Sequence, residues 1–394
     1  MRLIRSELSV GNSRKKVNPG RGQQRTCKVT HFNGLQDRGY VTLYRLAGPD
    51  RRPTVDLKQR RFEQCKAKLA LGAIVCMATT AVSCTVGPGG QAATVRSGQR
   101  QNQAAERKTG KPEAKPFVLV GAGDIAACAA LAGAEATAKL IEQTPGTVFA
   151  AGDLAYERGT AAEFRDCYGK TWGRFKDRTK PTPGNHEYNS GGGAAYFAFW
   201  GAQAGTPEKS YYSFDLGNWH VIALNTNCVA PKVGGCGIGS PQEKWLKEDL
   251  AGHADSCIAA FGHHALYSSG VFPSHAVHPE LKELWRDLFL AHADLVLAGH
   301  EHSYERFAPQ DPDGNRDEKN GIREIVVGTG GRSHDPLGTP LPNSEVRNFD
   351  TYGVLKLTFW PDRYRWEFLP VNADGFRDSG EGSCHNSRQA PPVR

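Results

Sequence analysis

Four short apolar runs in this chain share one ending, a glycine followed directly by an aspartate or a histidine. The runs are 117–123, 147–152, 257–262 and 293–299, and the residues that follow them are Asp124, Asp153, His263 and His300. Such runs, rich in Val, Ile, Leu and Phe, are typical of buried strands. Because ligands gather outside the carboxyl ends of strands in open α/β sheets, these four polar residues are predicted to converge on one edge of a sheet.

Helical patterns alternate with these runs. They lie near residues 129–143, 161–171, 240–250 and 279–291. Three later segments, 322–328, 352–360 and 363–371, are predicted to be antiparallel strands, and Pro361-Asp362 is predicted to form a hairpin turn between the last two. The sequence therefore predicts one α/β domain with a mixed sheet over residues 115–385, followed by a tail at 386–394. Roughly 270 residues are enough for one large core.

Charge is distributed unevenly along the chain. The formal net charge is +8, but residues 1–115 contain 23 Lys and Arg against 7 Asp and Glu. The remainder therefore carries a net charge of −8. Since the predicted domain is acidic, a surface that binds duplex nucleic acid is not expected on it.

The N-terminal segment is predicted to lie outside the domain. Residues 1–57 show no sustained period, so we expect an extension that is disordered or that precedes the true start codon. Residues 58–84 combine a basic run with an uncharged stretch, Leu69–Ser83, a pattern that predicts an export signal. The stretch is shorter than the roughly 20 residues of a membrane span. A short buried helix is the alternative, and residues 85–114 are expected to form a flexible tether.

The end of the predicted signal resembles a bacterial lipobox. It reads Ala81-Val82-Ser83-Cys84, although Leu is usual at the position of Ala81. Lipidation of Cys84 and plain cleavage nearby both remain open. In either case the protein is expected to be secreted or lipid-anchored at the cell surface, as exported bacterial proteins are.

The cysteine count agrees with export. Of ten cysteines, six follow the predicted signal: Cys128, Cys167, Cys228, Cys236, Cys257 and Cys384. An even number suits an oxidising compartment. The favoured pair is Cys228–Cys236, because Gly234-Gly235 lets the chain turn back; buried free thiols are the alternative for the others. A zinc-thiolate site is not expected, since no pair has CxxC spacing.

Five polar segments carry the candidate chemistry. They are Gly123-Asp124-Ile125-Ala126, Gly152-Asp153-Leu154-Ala155-Tyr156, Gly184-Asn185-His186-Glu187, Gly262-His263-His264-Ala265-Leu266-Tyr267 and Gly299-His300-Glu301-His302. Carboxylates, an amide and imidazoles suit iron, manganese or zinc. Each segment starts with a glycine, which permits a tight turn after a strand. His300 and His302 cannot share a helix face, but from a loop they can reach two different ions.

In this order the segments resemble the motifs of the calcineurin-like metallophosphoesterases. That resemblance implies a four-layer αββα sandwich with mixed sheets and a dinuclear metal site at the carboxyl ends of strands. Classical members have a histidine where this chain has Ala126, whereas Tyr156 stands where purple acid phosphatases place a tyrosinate on Fe(III). The segments 303–306 and 328–331 are also similar to that branch. The resemblance therefore favours the purple acid phosphatases.

The resemblance implies a ligand set for each ion. The first ion would be held by Asp124, Asp153, Tyr156 and His302, and the second by Asp153, Asn185, His263 and His300. Asp153 would bridge the two. His263 is preferred to His264 because the family places an aromatic residue four positions later, where Tyr267 stands. The ions implied are Fe(III) and a divalent ion, which could be zinc, iron or manganese.

The resemblance also implies an activity, the hydrolysis of phosphate monoesters on small molecules by a metal-bound hydroxide. His186 would face the substrate as charge stabiliser or acid, and a structural role is its alternative. His275, His278 and His334 are further candidates for substrate binding. A phosphodiesterase or nucleotide hydrolase with the same centre is the alternative function. A non-catalytic surface protein stabilised by metal is the third, although a structural site needs no open coordination position.

Overall fold

The structure, a computed structural model, describes residues 115–230, 232–271 and 279–386. The predicted extension, export signal and tether lie outside the described residues, as do residues 387–394 of the predicted tail. Among the residues that are described, no helix is both long and apolar enough to cross a membrane.

Fifteen strands and six α-helices make up the described part of the chain. The strands are β1 (Phe117–Ala122), β2 (Ala126–Ala127), β3 (Thr147–Ala151), β4 (Ala155–Tyr156), β5 (Thr179–Thr182), β6 (Tyr212–Leu216), β7 (Trp219–Ala223), β8 (Cys257–Phe261), β9 (Leu295–Ala298), β10 (Tyr304–Phe307), β11 (Arg323–Val327), β12 (Ser344–Asn348), β13 (Gly353–Phe359), β14 (Arg363–Pro370) and β15 (Ser379–Ser383). The helices are α1 (Ala132–Gln143), α2 (Ala161–Glu163), α3 (Asn185–Tyr188), α4 (Ala194–Trp200), α5 (Pro241–Gly252) and α6 (Lys282–Leu290).

Most predicted elements are confirmed. The four apolar runs form β1, β3, β8 and β9, and the helical patterns near 129–143, 240–250 and 279–291 contain α1, α5 and α6. The pattern near 161–171 is only three residues of α2, continued by a π-helical turn at Phe164–Tyr168. β13 and β14 form the predicted antiparallel hairpin around Pro361-Asp362.

Two mixed sheets organise these strands. The first has the order β15-β14-β13-β1-β3-β5, in which β1, β3 and β5 are parallel and the others antiparallel. The second has the order β12-β10-β11-β9-β8-β7-β6, with β7, β8, β9 and β11 parallel. Both sheets thus bring carboxyl ends of parallel strands to an edge.

One predicted strand direction needs correction. Residues 322–328 are predicted to form an antiparallel strand, but β11 is antiparallel only to β10 and runs parallel to β9. The chain leaves β9, forms β10 at the far side, and returns to insert β11 between them. A strand's own sequence reports the burial of its faces and not the direction of its neighbours, so this pairing was not visible in the pattern.

The two sheets pack face to face. Alternate residues of β8 point to opposite sides: Phe261 lies in the core between the sheets, while Ile258 lies in a second core under α5 and α6. Across the sandwich the rings of Phe149 and Phe261 are 5.8 Å apart, and Trp219 stacks on Phe359 at 4.3 Å. Both faces of the strands are therefore covered, which explains their continuous apolar runs.

Helices complete the outer layers. α5 and α6 cover the second sheet, and α1 packs against β13 of the first sheet. The order helix, sheet, sheet, helix is the predicted four-layer αββα sandwich, and the fold class is confirmed.

Disulfides connect loops around this sandwich. The predicted Cys228–Cys236 pair is confirmed. The structure also pairs Cys128 with Cys167 and Cys257 with Cys384, which ties the start of β8 to the residue after β15. All six cysteines in the described part of the chain are therefore paired, and the free-thiol alternative does not hold there.

Candidate metal centre

The five polar segments meet where the two sheets present their strand ends. Asp124 and Asp153 follow β1 and β3 of the first sheet, and His263 and His300 follow β8 and β9 of the second within two residues. The approach is very close at Gly123, where a Cβ atom would lie 2.8 Å from the carbonyl oxygen of Ala151 and 3.1 Å from Cα of Gly299. The glycine thus allows the first polar segment to pack directly against the last.

Three of the converging residues have left-handed backbone conformations. The φ angles are 61° at Asp124, 51° at Asp153 and 73° at His300. Non-glycine residues rarely adopt this region, and such strain clusters at functional sites. The short parallel pairing of β2 with β4 holds the first two loops side by side, since the N–H of Ile125 donates to the carbonyl oxygen of Asp153 over 3.0 Å.

The four residues predicted for the first ion form one cluster. The hydroxyl oxygen of Tyr156 lies 2.7 Å from Oδ1 of Asp124, 3.0 Å from Oδ2 of Asp153 and 3.2 Å from Nε2 of His302. The same Nε2 is 3.4 Å from Oδ1 of Asp124. The cluster is closed to solvent on the tyrosine side, because Tyr156 is 2% exposed.

The four residues predicted for the second ion form a neighbouring cluster. Nε2 of His263 lies 3.0 Å from Oδ1 of Asn185, 3.1 Å from Nδ1 of His300 and 3.4 Å from Oδ2 of Asp153. Oδ2 of Asp153 therefore belongs to both clusters. This is the position that a bridging carboxylate requires.

The chemistry of the donor atoms fits a cation. Nδ1 of His263 lies 2.9 Å from the carbonyl oxygen of Ala151, which can only accept a hydrogen bond. Nδ1 therefore carries a proton, and when Nε2 gives up its own proton that atom can hold a metal ion beside Asp153 and the amide oxygen of Asn185. Carboxylate, amide and imidazole donors grouped in this way are ligands that iron, manganese and zinc accept.

Electrostatics around Tyr156 lead to the same conclusion. Burial, followed by the negative charges of Asp124 and Asp153, raises the pKa of Tyr156 well above its ordinary value. An ionised phenolate at this position therefore needs a multiply charged cation nearby. Burial also acts to raise the pKa of Asp153, but the charges of His263 and His186 outweigh it, so its pKa lies below its usual range. A dinuclear metal centre fits these residues.

His186 lies at the mouth of the paired clusters. Its Nδ1 is 2.6 Å from the carbonyl oxygen of Glu157, and its Nε2 is 3.7 Å from Oδ2 of Asp153. The side chain is 27% exposed, whereas that of Asp153 is 2% exposed. The ring therefore faces both the shared carboxylate and solvent.

The remaining predicted residues are placed differently from one another. His334 is half-buried and stacks on Tyr352 with ring centres 4.0 Å apart. His275 and His278 lie outside the described residues. Beside His263, His264 has its Nδ1 2.9 Å from Oγ1 of Thr226, and its ring lies 4.4 Å from that of His300.

Sequence reasoning assigned no role to Glu187, although it ends the third segment. Its buried carboxylate accepts hydrogen bonds from the backbone N–H groups of Asp153, Leu154, Ala155 and Gly184 at 2.7–3.2 Å. It thereby connects the second and third segments. A glutamate three residues after a loop glycine is a helix-start signal that could have pointed to this role.

A second group of supporting residues was also missed. Oγ of Ser333 lies 2.7 Å from Nδ1 of His302, and Oδ2 of Asp335 is 3.6 Å from the same nitrogen. Partners of this kind fix the orientation of a ligating imidazole. They come from the loop after β11, and no local pattern links that loop to His302.

Comparison with known proteins places this chain in a family. The model of the calcineurin-like phosphoesterase family matches residues 82–304, more than half of the chain. Purple acid phosphatase 15 of Arabidopsis thaliana is 27% identical over 294 residues, which cover 62% of this chain and 52% of that protein. Acid phosphatase type 7 of Homo sapiens is 33% identical over 144 residues, 32% of each chain. The chain thus spans about half the length, or less, of these relatives.

A solved structure gives the same fold. The purple acid phosphatase from yellow lupin (Lupinus luteus) seeds superposes with a TM-score of 0.57 at 22% identity, over 68% of this chain and 54% of that one. The family match, the relatives and the arrangement of the five segments agree. The chain belongs to the calcineurin-like phosphoesterase family, and within it the chain is similar to purple acid phosphatases.

Proposed function

We propose that this protein hydrolyses phosphate monoesters of small molecules at a centre of one ferric and one divalent ion, the latter zinc, iron or manganese. The observation that carries the proposal is the pair of four-residue clusters that share Oδ2 of Asp153, with His186 beside them at the solvent side. When bound, the two ions supply Lewis acidity and a water nucleophile that is activated at neutral or acid pH.

The residues of the chain set the charge of the site. Asp124 and Asp153 with an ionised Tyr156 contribute three negative charges, while Asn185 and the histidines are neutral as ligands. A ferric and a divalent ion therefore leave about two positive charges, which suit a phosphate dianion. A substrate that already carries one fewer negative charge, such as a diester, is attracted less.

His186 is the residue proposed to act on the leaving group. The carbonyl oxygen of Glu157 accepts a hydrogen bond from Nδ1 of His186. Nδ1 therefore keeps its proton, and Nε2 faces the clusters. In its cationic form the ring also carries a proton at Nε2. That proton can pass to the leaving alkoxide oxygen, and proton transfer of this kind contributes typically 10²–10⁴-fold to the rate.

We also propose that the protein acts outside the cytoplasm, secreted or anchored by lipid at Cys84. The sequence of residues 58–84 and the pairing of six cysteines support this. Expression in a bacterial host followed by detergent-phase partitioning tests the anchor: the native chain should enter the detergent phase and Cys84→Ala should stay in the aqueous phase. Equal partitioning of both chains would rule out the lipid.

The activity is tested by comparing two chromogenic esters. Purified protein should release p-nitrophenol faster from p-nitrophenyl phosphate than from bis-p-nitrophenyl phosphate, and Asp153→Asn should release little from either. Preference for the bis ester would assign a phosphodiesterase instead. No release from either ester by a protein that retains its metals would contradict catalysis on phosphate esters.

A further inference from the structure

The loop that follows β11, residues Gly328–Asp335, packs on the first cluster; we call it the β11 loop. The N–H of Gly330 donates to the carbonyl oxygen of Gly123 over 2.9 Å, and the N–H of Arg332 donates to that of Asp124 over 3.0 Å. A Cβ atom at Gly330 would lie 2.4 Å from the Gly123 oxygen, so glycine is needed for this contact. The β11 loop is therefore fixed to the segment that carries Asp124.

The side chain of Arg332 extends from this loop over the ring of Tyr156. Its Cζ atom lies 5.0 Å from the ring centre, within the range of a cation–π contact. One terminal nitrogen pairs with Oε1 of Glu157 at 2.5 Å. Nε is buried and has no hydrogen-bond partner among the residues that the structure describes. The guanidinium is thus held by the Tyr156 ring and by Glu157.

The β11 loop also holds His302, a second member of the same cluster. Ser333 contacts Nδ1 of His302, and the N–H of Asp335 donates to the carbonyl oxygen of His302 over 3.1 Å. His263, in the other cluster, is fixed by different residues. The carbonyl oxygen of Ala151 accepts a hydrogen bond from its Nδ1, and Oγ1 of Thr226 accepts one from its backbone N–H. One loop thus supports Asp124, Tyr156 and His302 together.

We propose that Arg332 is a positioning residue for the first ion: its guanidinium clamps the Tyr156 ring so that the phenol oxygen stays with Asp124, Asp153 and His302. The inference rests on the proposed function, because it concerns an ion in that cluster. The positive charge lies 5.0 Å from the centre of the Tyr156 ring, whose oxygen would be the donor to the ion. It therefore stabilises the donor electrons of the phenolate and raises the energy of electron transfer from oxygen to iron.

Two replacements at one position separate charge from shape. Arg332→Met keeps the length of the side chain but removes the charge and the donors, whereas Arg332→Lys keeps the charge and loses the planar stacking surface. In Arg332→Met the visible band should move to longer wavelength, and iron should be lost to a chelator at least about tenfold faster, the lower range for a lost supporting partner. Arg332→Lys should keep most of the band position but lose iron faster than the native protein.

Arg365→Met is the matched control. Arg365 on β14 also places its guanidinium near an aromatic ring, 5.7 Å from Trp360, and pairs with Glu381, but it belongs to the opposite end of the first sheet from β3 and β5. This variant should retain the native band and the native rate of iron loss. If Arg332→Met does the same, the proposal is overturned.

The same variants distinguish a failure of the positioning role of Arg332 from a failure of the proposed ferric centre. If Arg332→Met does not fold, Arg332→Lys decides, and a native rate of metal loss in that variant overturns the proposal. If the native protein contains no iron, the proposed ferric centre fails; the same chelation is then followed with zinc in both sites. Faster loss of one of the two zinc equivalents in Arg332→Met would still support the positioning role, and unchanged loss would end it.

Discussion

The backbone N–H of His186 donates to Oδ1 of Asp153 over 2.8 Å, while Oδ2 of the same carboxylate lies in both clusters. The residue proposed to act on the leaving group is thereby fixed to the carboxylate proposed to bridge the ions. The positions of the proposed acid and of the proposed ions therefore both depend on Asp153. Substitutions at other residues can still test the two roles separately.

The ligand division is tested by metal content. Asp153→Asn removes a charge that both clusters use, so binding of both ions should weaken. His302→Ala should mainly empty the first site, and Asn185→Ala mainly the second, because each lies in one cluster only. Elemental analysis after dialysis measures this. Equal loss of both ions in all three variants would contradict the division.

His186→Ala tests the proposed acid. Its ring contacts the carbonyl oxygen of Glu157 and faces solvent, so its removal should leave both ions bound. Turnover of p-nitrophenyl phosphate should fall by roughly 10²–10⁴, the range for a lost general acid. His292→Ala, which removes an exposed histidine after α6, is the comparison variant and should keep native turnover. Native turnover in His186→Ala would assign this histidine a structural role.

Part of the candidate site could be predicted from the sequence alone. Asp124, Asp153, His263 and His300 were predicted to converge because each follows an apolar run that ends in glycine, a strictly local signal. Arg332 and Ser333 could not be assigned, because their contacts with Tyr156 and His302 join segments about 30 or more residues apart.

The fold shows the same limit. Runs buried on both faces predicted the strands of the sandwich, whereas the parallel partner of β11 depends on the path of the chain through β10. The hairpin of β6 and β7 was also not predicted. Only Leu216 of the five residues of β6 is fully buried, so the strand lacks the continuous apolar run that marked the others.

A buried glutamate makes the stability of the domain depend on pH. Glu324 accepts from the backbone N–H groups of Leu266 and Tyr267, and burial raises its pKa to about 8 from 4.5. Because the folded state holds this proton more tightly, the contribution of Glu324 to stability is full below pH 4.5 and is lost as the pH rises through 8.

Denaturant unfolding of the native protein and of Glu324→Gln from pH 4 to 9 measures this contribution. The native protein should lose stability relative to the variant as the pH rises, since glutamine does not titrate. Asp374→Asn, at an exposed loop position, serves as the control for a carboxyl removed elsewhere. Parallel pH profiles for the native protein and Glu324→Gln would show that Glu324 ionises as freely when folded as when unfolded.

The most direct measurement is the visible spectrum of purified protein, recorded with its metal content and compared with Tyr156→Phe. A Tyr156 phenolate on Fe(III) transfers charge to the metal, so the native protein should be pink to violet and contain iron. Reduction should shift the band, and Tyr156→Phe should lack it while folding normally, because the ring and its packing remain. A colourless, fully active native protein without iron would contradict the ferric centre and the role of Tyr156.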